Sequence, residues 1–291
     1  MALTNPGITM ALHALFGNIK PALDLITALG PTDFSAGEPG VDVKPNTTIK
    51  FPLSVVSAAL AFDESTNNYL TGGSTDWATL TATHYLQGYD LKGENIDAGV
   101  NAPRIKQLFT ARAGTGISMS AVAAIKSALD GTTASTAVTL PASPTLAQYD
   151  ALATAKDWFD PANATLCVNG AELSKLKGVF HGAHLSATRE SMAEELGFRK
   201  VVLVPGMSAR AVVVPYSSIG FIARVPAIVA RYVAAGTATD PDSGLSIGVV
   251  VADDQKNNRI VANADLWFGV AALSANAAAT TKGIIKVGTA S

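Results

Sequence analysis

The chain has 291 residues, 48% of them apolar and 15% charged, with a formal net charge of −2 at neutral pH. That length allows one large core or two smaller ones, and the near-neutral balance excludes a dedicated nucleic-acid binder, whose basic face would push the charge far positive. So few charges mean either an unusually large interior or much surface covered by other chains, because obligate interfaces are depleted in charge.

The single cysteine, Cys167, lies in the apolar run Thr-Leu-Cys-Val-Asn and reads as a small core residue; one chain can form no disulfide framework. The opening Met-Ala-Leu-Thr-Asn-Pro-Gly has no basic region before its apolar residues, so a secretory signal is not expected and synthesis in a cytoplasm is. No run approaches the roughly 18 apolar residues of a membrane span. The glycosylation patterns at Asn46 and Asn163 then carry no meaning.

Apolar residues at Leu12, Leu15, Phe16 and Ile19, then Leu23, Ile26 and Leu29, predict two short amphipathic helices hinged at Pro21. Gly30-Pro31 ends them. Residues 30–46, rich in Gly, Pro and Asp, read as an extended arm that must dock on its own body or on a neighbour. Ile49, Phe51 and Leu53 alternate in a strand over 47–53. A longer alternation over 77–91 sets Thr79, Thr81, Thr83, Tyr85, Gln87 and Tyr89 against Ala78, Leu80, Ala82, His84 and Leu86. Between them, residues 54–76 combine an apolar start with a polar tip. A hairpin of that length projects from the body with edges open to another chain.

Residues 101–130 carry helical spacing at Ile105, Leu108 and Phe109, break near Gly114 to Gly116, and resume at Met119, Val122, Ile125 and Leu129. Ser118 or Ser120 would cap the second piece and Gly131 would end it. The stretch 131–144, mostly Thr, Ala, Ser and Pro, is a linker or a strand plus linker, and marks a domain boundary. Thr145 caps a helix reaching Phe159, and a strand follows over 164–168. Asn169 with Glu172 forms a capping box for a helix that turns Leu173, Leu176, Val179 and Phe180 to one face. A shorter helix over 187–196 ends at Gly197.

Two Val-rich runs, 201–204 and 211–214, are closed by Pro205 and Pro215 and do not alternate. They read as strands buried on both faces and neighbouring each other in one sheet. Residues 216–223 form a helix or a further strand, with Ile219 and Phe221 inward. Segments 245–252 and 259–273 flank Asp253-Asp254-Gln255-Lys256-Asn257-Asn258 as a hairpin, and strand character returns over 284–287. No internal repeat is visible.

Each candidate for chemistry has a plainer reading beside it. His181 and His184 could ligate a metal with Glu190, but a histidine at a helix C-terminus is favourable against the dipole, and that reading prevails. Gly114-Thr-Gly-Ile lacks the third glycine of a dinucleotide fingerprint and follows a helical run; no phosphate-binding loop or nucleophile elbow occurs. Asp253 and Asp254 are solvated turn acids before they are a metal site or a carboxylate pair. His13 and His84 sit on apolar faces as core or interface groups. Trp77, Tyr69 and Tyr85 could stack on a sugar or a base, but packing on a neighbouring subunit is the better account, with Asn67 joining them there. Arg104, Lys106, Arg112 and Lys126 are either a solvated face or a basic lining toward a polyanion. No catalytic, cofactor-binding or metal-binding set is expected.

The order of parts resembles the major capsid protein fold of tailed bacteriophages, shared in outline with encapsulins. The residues that carry the likeness are Tyr149 to Phe159 with Ala164 to Leu176, similar to a strand and following helix of the axial domain. Gly197-Phe198 into Val201-Val202, Ala211 to Val214, and Ser217 to Arg224 are similar to the next stretch. Tyr85 to Asn95 resembles the strand leaving the extended loop, and Ala121 to Leu129 part of the spine helix. The resemblance implies an α+β fold: an arm over 1–46, an extended loop (54–76) and a peripheral domain with a central spine helix over 47–144. An axial domain with a mixed sheet flanked by helices follows over 145–273, and a tail over 274–291.

It further implies a non-enzymatic subunit that assembles with itself, as hexamers and pentamers, into an icosahedral shell in the virion. The shell would form in the host cytoplasm around double-stranded DNA held by non-specific contacts, with room for scaffolding, portal or decoration proteins as further partners and no membrane. Residues 54–76 would lie over a neighbour. The alternatives are an encapsulin-like compartment and, from another class, a small-molecule enzyme with a site near Asn169 or His181.

Overall fold

A computed structural model describes residues 6–33, 48–54, 75–92, 102–132, 134–153, 163–216, 218–224, 234–239, 245–257, 259–272 and 284–289. In chain order come helix α1 (Pro6–Leu29), strands β1 (Thr32–Asp33), β2 (Thr48–Ser54), β3 (Thr75–Thr81) and β4 (Thr83–Lys92), and helix α2 (Ala102–Asp130). Strand β5 (Ala134–Leu140), helix α3 (Leu146–Ala153), strand β6 (Ala164–Val168) and helices α4 (Gly170–Gly182) and α5 (Arg189–Glu195) follow. Seven strands complete the set: β7 (Lys200–Leu203), β8 (Ala211–Pro215), β9 (Ile219–Arg224), β10 (Ala234–Thr239), β11 (Ser246–Asp254), β12 (Arg259–Ala272) and β13 (Ile285–Thr289). The chain divides into two compact units, one of Met1–Thr47, Thr81–Lys126 and Phe221–Val270, the other of Thr48–Leu80, Ser127–Gly220 and Ala271–Ser291.

The first unit is built on a six-stranded sheet ordered β1-β9-β12-β11-β10, with β4 also paired to β12. Ala264, Leu266 and Phe268 of β12 are buried at every second position, as a pleated strand requires. The expected hairpin forms, with Asp254 opposite Arg259 and a short 3-10 turn at Gln255–Asn257. Helix α1 packs on β10 and β11 through Ile19, Ala22, Leu25, Ile26 and Leu29.

α1 is one helix, where the sequence suggests two hinged at Pro21. An interior proline costs about 3 kcal/mol. Burying Ile19, Leu25, Ile26 and Leu29 at about 1.5–3 kcal/mol each outweighs that.

α2 is likewise continuous, and the expected break at Gly114 to Gly116 does not occur. Gly116 is there for closeness: a Cβ at this position would stand 2.9 Å from Gln87 Oε1 of β4. Ala113, Ile117, Ala121, Ile125 and Leu129, four residues apart, form its buried stripe. Ser118 is therefore mid-helix and buried, not a cap, and Met119 faces out at 68% exposure instead of joining the core face. At about 1.5 Å per residue its 29 residues span about 44 Å. Gly131 N–H closes on the Ser127 carbonyl at 2.9 Å where it ends.

The long strand expected over 77–91 is two strands. β3 ends at Thr81 and pairs with β2, whereas β4 starts at Thr83 and pairs with β12 over ten positions. Alternation holds through the change, with Thr79 and Thr81 exposed and Leu80 and Ala82 buried. At the switch, Gly269 of β12 lies so close that a Cβ there would run into the Thr81 carbonyl. The loop expected over 54–76 falls, beyond Ser54 and up to residue 74, outside the described residues.

The second unit holds a five-stranded mixed sheet ordered β5-β13-β8-β6-β7. β6 and β8 are buried throughout. The two Val-rich runs share this sheet but are not neighbours: β6 lies between β7 and β8, parallel to the first and antiparallel to the second. β7 is an edge strand and only partly buried, so it is not the doubly covered strand its composition suggests. Residues 219–224 are a strand, and it belongs to the six-stranded sheet. The β6-α4-α5-β7 path is a parallel crossover, whose helices bury Leu176, Phe180 and Met192 in the same core as Leu166 and Val213. Gly197, in the left-handed region at φ 71°, ends α5, and the next amide, Phe198 N–H, returns to the Ala193 carbonyl at 2.9 Å.

Candidate functional site

Glu172 is the one charged side chain fully buried among the described residues, at 1% exposure. The N-cap of α4 is Asn169, whose side-chain oxygen accepts from Glu172 N–H at 2.8 Å. In a capping box the glutamate would reach back to the Asn169 amide. Here that amide donates to the Arg210 carbonyl at 3.1 Å, and the Glu172 carboxylate turns into the core instead.

There Tyr149 Oη donates to Oε1 at 2.6 Å, while Arg210 grips both oxygens, Nε to Oε2 at 2.9 Å and Nη2 to Oε1 at 3.0 Å. The same guanidinium donates to the carbonyls of Leu140 and Pro141, each at 2.8 Å. One side chain thus joins the end of β5, the first turn of α4 and the start of β8.

Burial pushes the Glu172 carboxyl upward, but hydrogen bonds from Arg210 and Tyr149 and the charges of Arg210 and Lys175 outweigh it, holding the group below the ordinary carboxylate range. Burial, reinforced by Glu172, pushes the Tyr149 phenol far above its ordinary range. At neutral pH the carboxylate is charged, the phenol protonated, and both carboxylate oxygens are occupied. The cluster is a tie between elements and has no proton to move. Burial also pushes the Cys167 thiol well above its usual range, which suits a core residue and not a nucleophile.

A second tie ends α2. The Asp130 carboxylate accepts from Ser208 N–H at 3.0 and 3.1 Å and from Ala209 N–H at 3.0 Å, and Lys286 Nζ donates to the Asp130 carbonyl at 2.7 Å. An acid at a helix C-terminus opposes the dipole; two aimed amides offset it. Neither tie is visible in the sequence as a motif. The available signals were Asp130 as an acid just before a helix-ending glycine, and Arg210 as the lone charge between two apolar strands.

The expected site residues are dispersed. His181 and His184 are both exposed where α4 ends, His184 at φ 58°, and no group of three metal-ligating side chains occurs among the described residues. Glu190 stands in the first turn of α5. Asn169 is consumed by capping, its Nδ2 donating to the Ala209 carbonyl at 3.1 Å. Asp253 and Asp254 close β11. Arg104, Lys106, Arg112 and Lys126 all belong to α2, with Arg112 exposed and Lys126 half-buried. Tyr85 is half-buried on β4, opposite Leu266, and Trp77 is on β3. Asn67 and Tyr69 lie outside the described residues.

Within the first unit, an open hollow of about 620 Å³ is lined by Gln87 and Gly88 of β4 and by Arg112, Thr115, Gly116 and Met119 of α2. Arg112 is the one charged side chain among the described residues that line it. Those residues offer apolar surface and one cation, not an acid–base pair.

No family model and no curated protein matches the sequence. Solved structures do match. The capsid of an empty GTA particle aligns at a TM-score of 0.51 and 10% identity, covering 90% of this chain and 88% of that one. The capsid of Ralstonia phage GP4 aligns at 0.48 and 10%, covering 84% and 83%, and a virus-like particle from Pyrococcus furiosus at 0.48 and 8%, covering 94% and 95%. Only the first exceeds the level at which such a likeness carries an argument, and it extends over both units. No described helix is long and apolar enough to cross a membrane. The architecture in which this chain is built is the phage major-capsid fold.

Proposed function

We propose that the chain is a shell subunit, a major capsid protein that assembles with itself into a closed icosahedral particle around double-stranded DNA. The observation that carries this reading is the likeness to the GTA capsid over nine-tenths of the chain. The sparse charge of the sequence supports it, since so little charged surface suits a chain covered by its own copies. So does the chemistry: the perturbed groups Tyr149, Glu172 and Cys167 are structural, and none lines the hollow beside Arg112. The subunit is on this reading not an enzyme.

In the working subunit, residues 1–46 serve as the arm, 47–144 as the loop-bearing peripheral part, 145–273 as the axial part and 274–291 as the tail. Copies group as hexamers and pentamers. Asn67, Tyr69, Trp77 and Tyr85 meet the neighbour, and Arg104, Lys106, Arg112 and Lys126 face the DNA. Scaffolding, portal and decoration proteins are its further partners in the virion, and assembly takes place in the host cytoplasm.

Expression followed by sedimentation and electron microscopy tests the reading. Capsomers or shells far above the 29.8 kDa of one chain are expected; protein that stays at single-chain mass under assembly-permitting conditions refutes it. Mass spectrometry of particle contents separates a genome shell from a compartment loaded with a partner enzyme.

A further inference from the structure

The sequence contains one Asn-Gly pair, Asn169-Gly170, and one Asp-Gly pair, Asp130-Gly131. Such pairs are the most prone to cyclise on themselves, because glycine presents its backbone nitrogen with no side chain to obstruct it. Distant in sequence, both are held by the same few atoms of the segment 208–210 between β7 and β8. Asn169 donates from Nδ2 to the Ala209 carbonyl and from its own amide to the Arg210 carbonyl, each at 3.1 Å. The Asp130 carboxylate accepts from the Ser208 and Ala209 amides, each at 3.0 Å.

Neither pair is placed to react. Ring closure needs the following nitrogen nearly eclipsed with Cβ, and at ψ 171° the Gly170 nitrogen is turned well away from Asn169 Cγ. The Glu172 amide fixes Asn169 Oδ1 as well, at 2.8 Å. At the other pair the attacking atom is engaged, since Gly131 N–H donates to the Ser127 carbonyl at 2.9 Å.

The residue types are informative too. An aspartate would cap α4 as well as an asparagine does, but it has no N–H to give Ala209. Glycine at 170 is required neither by space, since a Cβ there would meet nothing within 4 Å, nor by a left-handed φ.

We propose that Asn169-Gly170 is a self-modification site held unreactive by the segment 208–210, so that its conversion marks a subunit in which that segment has opened. In an opened subunit the Gly170 nitrogen attacks Asn169 Cγ. The N–Cγ bond forms, the Cγ–Nδ2 bond breaks, and ammonia leaves with the Gly170 amide proton. Water then adds to one carbonyl of the five-membered imide, giving aspartate or isoaspartate. Both products have an oxygen where Nδ2 met the Ala209 carbonyl, and isoaspartate also lengthens the main chain by one carbon at the helix cap. The step is one-way, and a chain left unfolded for long loses its route back to the native state. Asp130-Gly131 closes the same ring by losing water, a slower reaction. The inference does not depend on the shell reading.

Peptide mapping by mass spectrometry, with isoaspartate counted by enzymatic carboxyl methylation, follows the conversion at mildly alkaline pH. In the unaltered chain it should run about a hundredfold slower folded than in urea, because the hydrogen bonds to the segment must first open. Gly170→Ala places a methyl group in open space and favours the helix. Its conversion in urea should fall by about tenfold or more, since a Cβ now obstructs the attacking nitrogen. After long storage in urea that variant should refold in full, whereas the unaltered chain loses yield in proportion to the isoaspartate formed.

Asp130→Ala frees the Ser208 and Ala209 amides and should raise conversion in the folded state about tenfold. Hydrogen exchange on the unaltered chain gives the same test without a variant. In dilute urea, conversion should rise in step with exchange at the Ser208 and Ala209 amides while the amides of β6 stay protected. Conversion as fast in the folded chain as in urea, Gly170→Ala converting at the original rate, or a folded Asp130→Ala converting no faster would each overturn the inference. So would conversion that follows exchange of the β6 amides alone.

Discussion

In the five-stranded sheet a charged carboxylate is carried into the core and satisfied by a phenol and a bidentate guanidinium. In the six-stranded sheet the tight points are glycines: Gly269 against the Thr81 carbonyl, Gly88 opposite Asn263 of β12, and Gly116 of α2 against Gln87. The first device orders its elements through direction and charge, the second through the absence of atoms. Their failures should therefore differ. Removing one partner of a buried ion pair strands the other, whereas crowding a glycine can be relieved by a shift.

The largest expected effect is Arg210→Ala, which leaves Glu172 charged, buried and short of two donors. It should lower stability by about 3–5 kcal/mol in denaturant melts, and a loss under about 1 kcal/mol would show that the tie is not energetic. Next is Gly269→Ala, which sets a methyl group against backbone. A loss of about 1–3 kcal/mol is expected, with Gly88→Ala costing less because the atom it meets is the free end of the Asn263 side chain.

The smallest effect at neutral pH is that of acid. The lowered value of Glu172 means that its contribution is full above the unfolded carboxylate value and is lost as pH falls through the folded one. Acid melts should show a component below the ordinary carboxylate range that Glu172→Gln abolishes; an unchanged acid profile in that variant would remove the assignment.

What could be read from the sequence was local. β6, the Asn169 cap, the apolar stripe of α4, the stop at Gly197 and the β11–β12 hairpin each depend on residues within a few positions of one another, and each is found. What failed was long-range. Glu172 sits where a capping box would use it, yet Arg210, 38 residues on, claims its side chain. Gly116 reads as a break until Gln87 is beside it, and β7 and β8 read as neighbours until β6 is placed between them. In the same way, the resemblance to the capsid fold came from the order of elements and not from a chemical motif.

The position of β13 has a consequence for synthesis. Among the described strands it is the one sheet partner of β5, pairing Leu140 with Thr289 about half the chain away, and it also bridges to β8. A nascent polypeptide holds β5 without a companion while the next 140 or so residues emerge, and closing so distant a pairing is slow. The five-stranded sheet is therefore completed only after translation has passed residue 289.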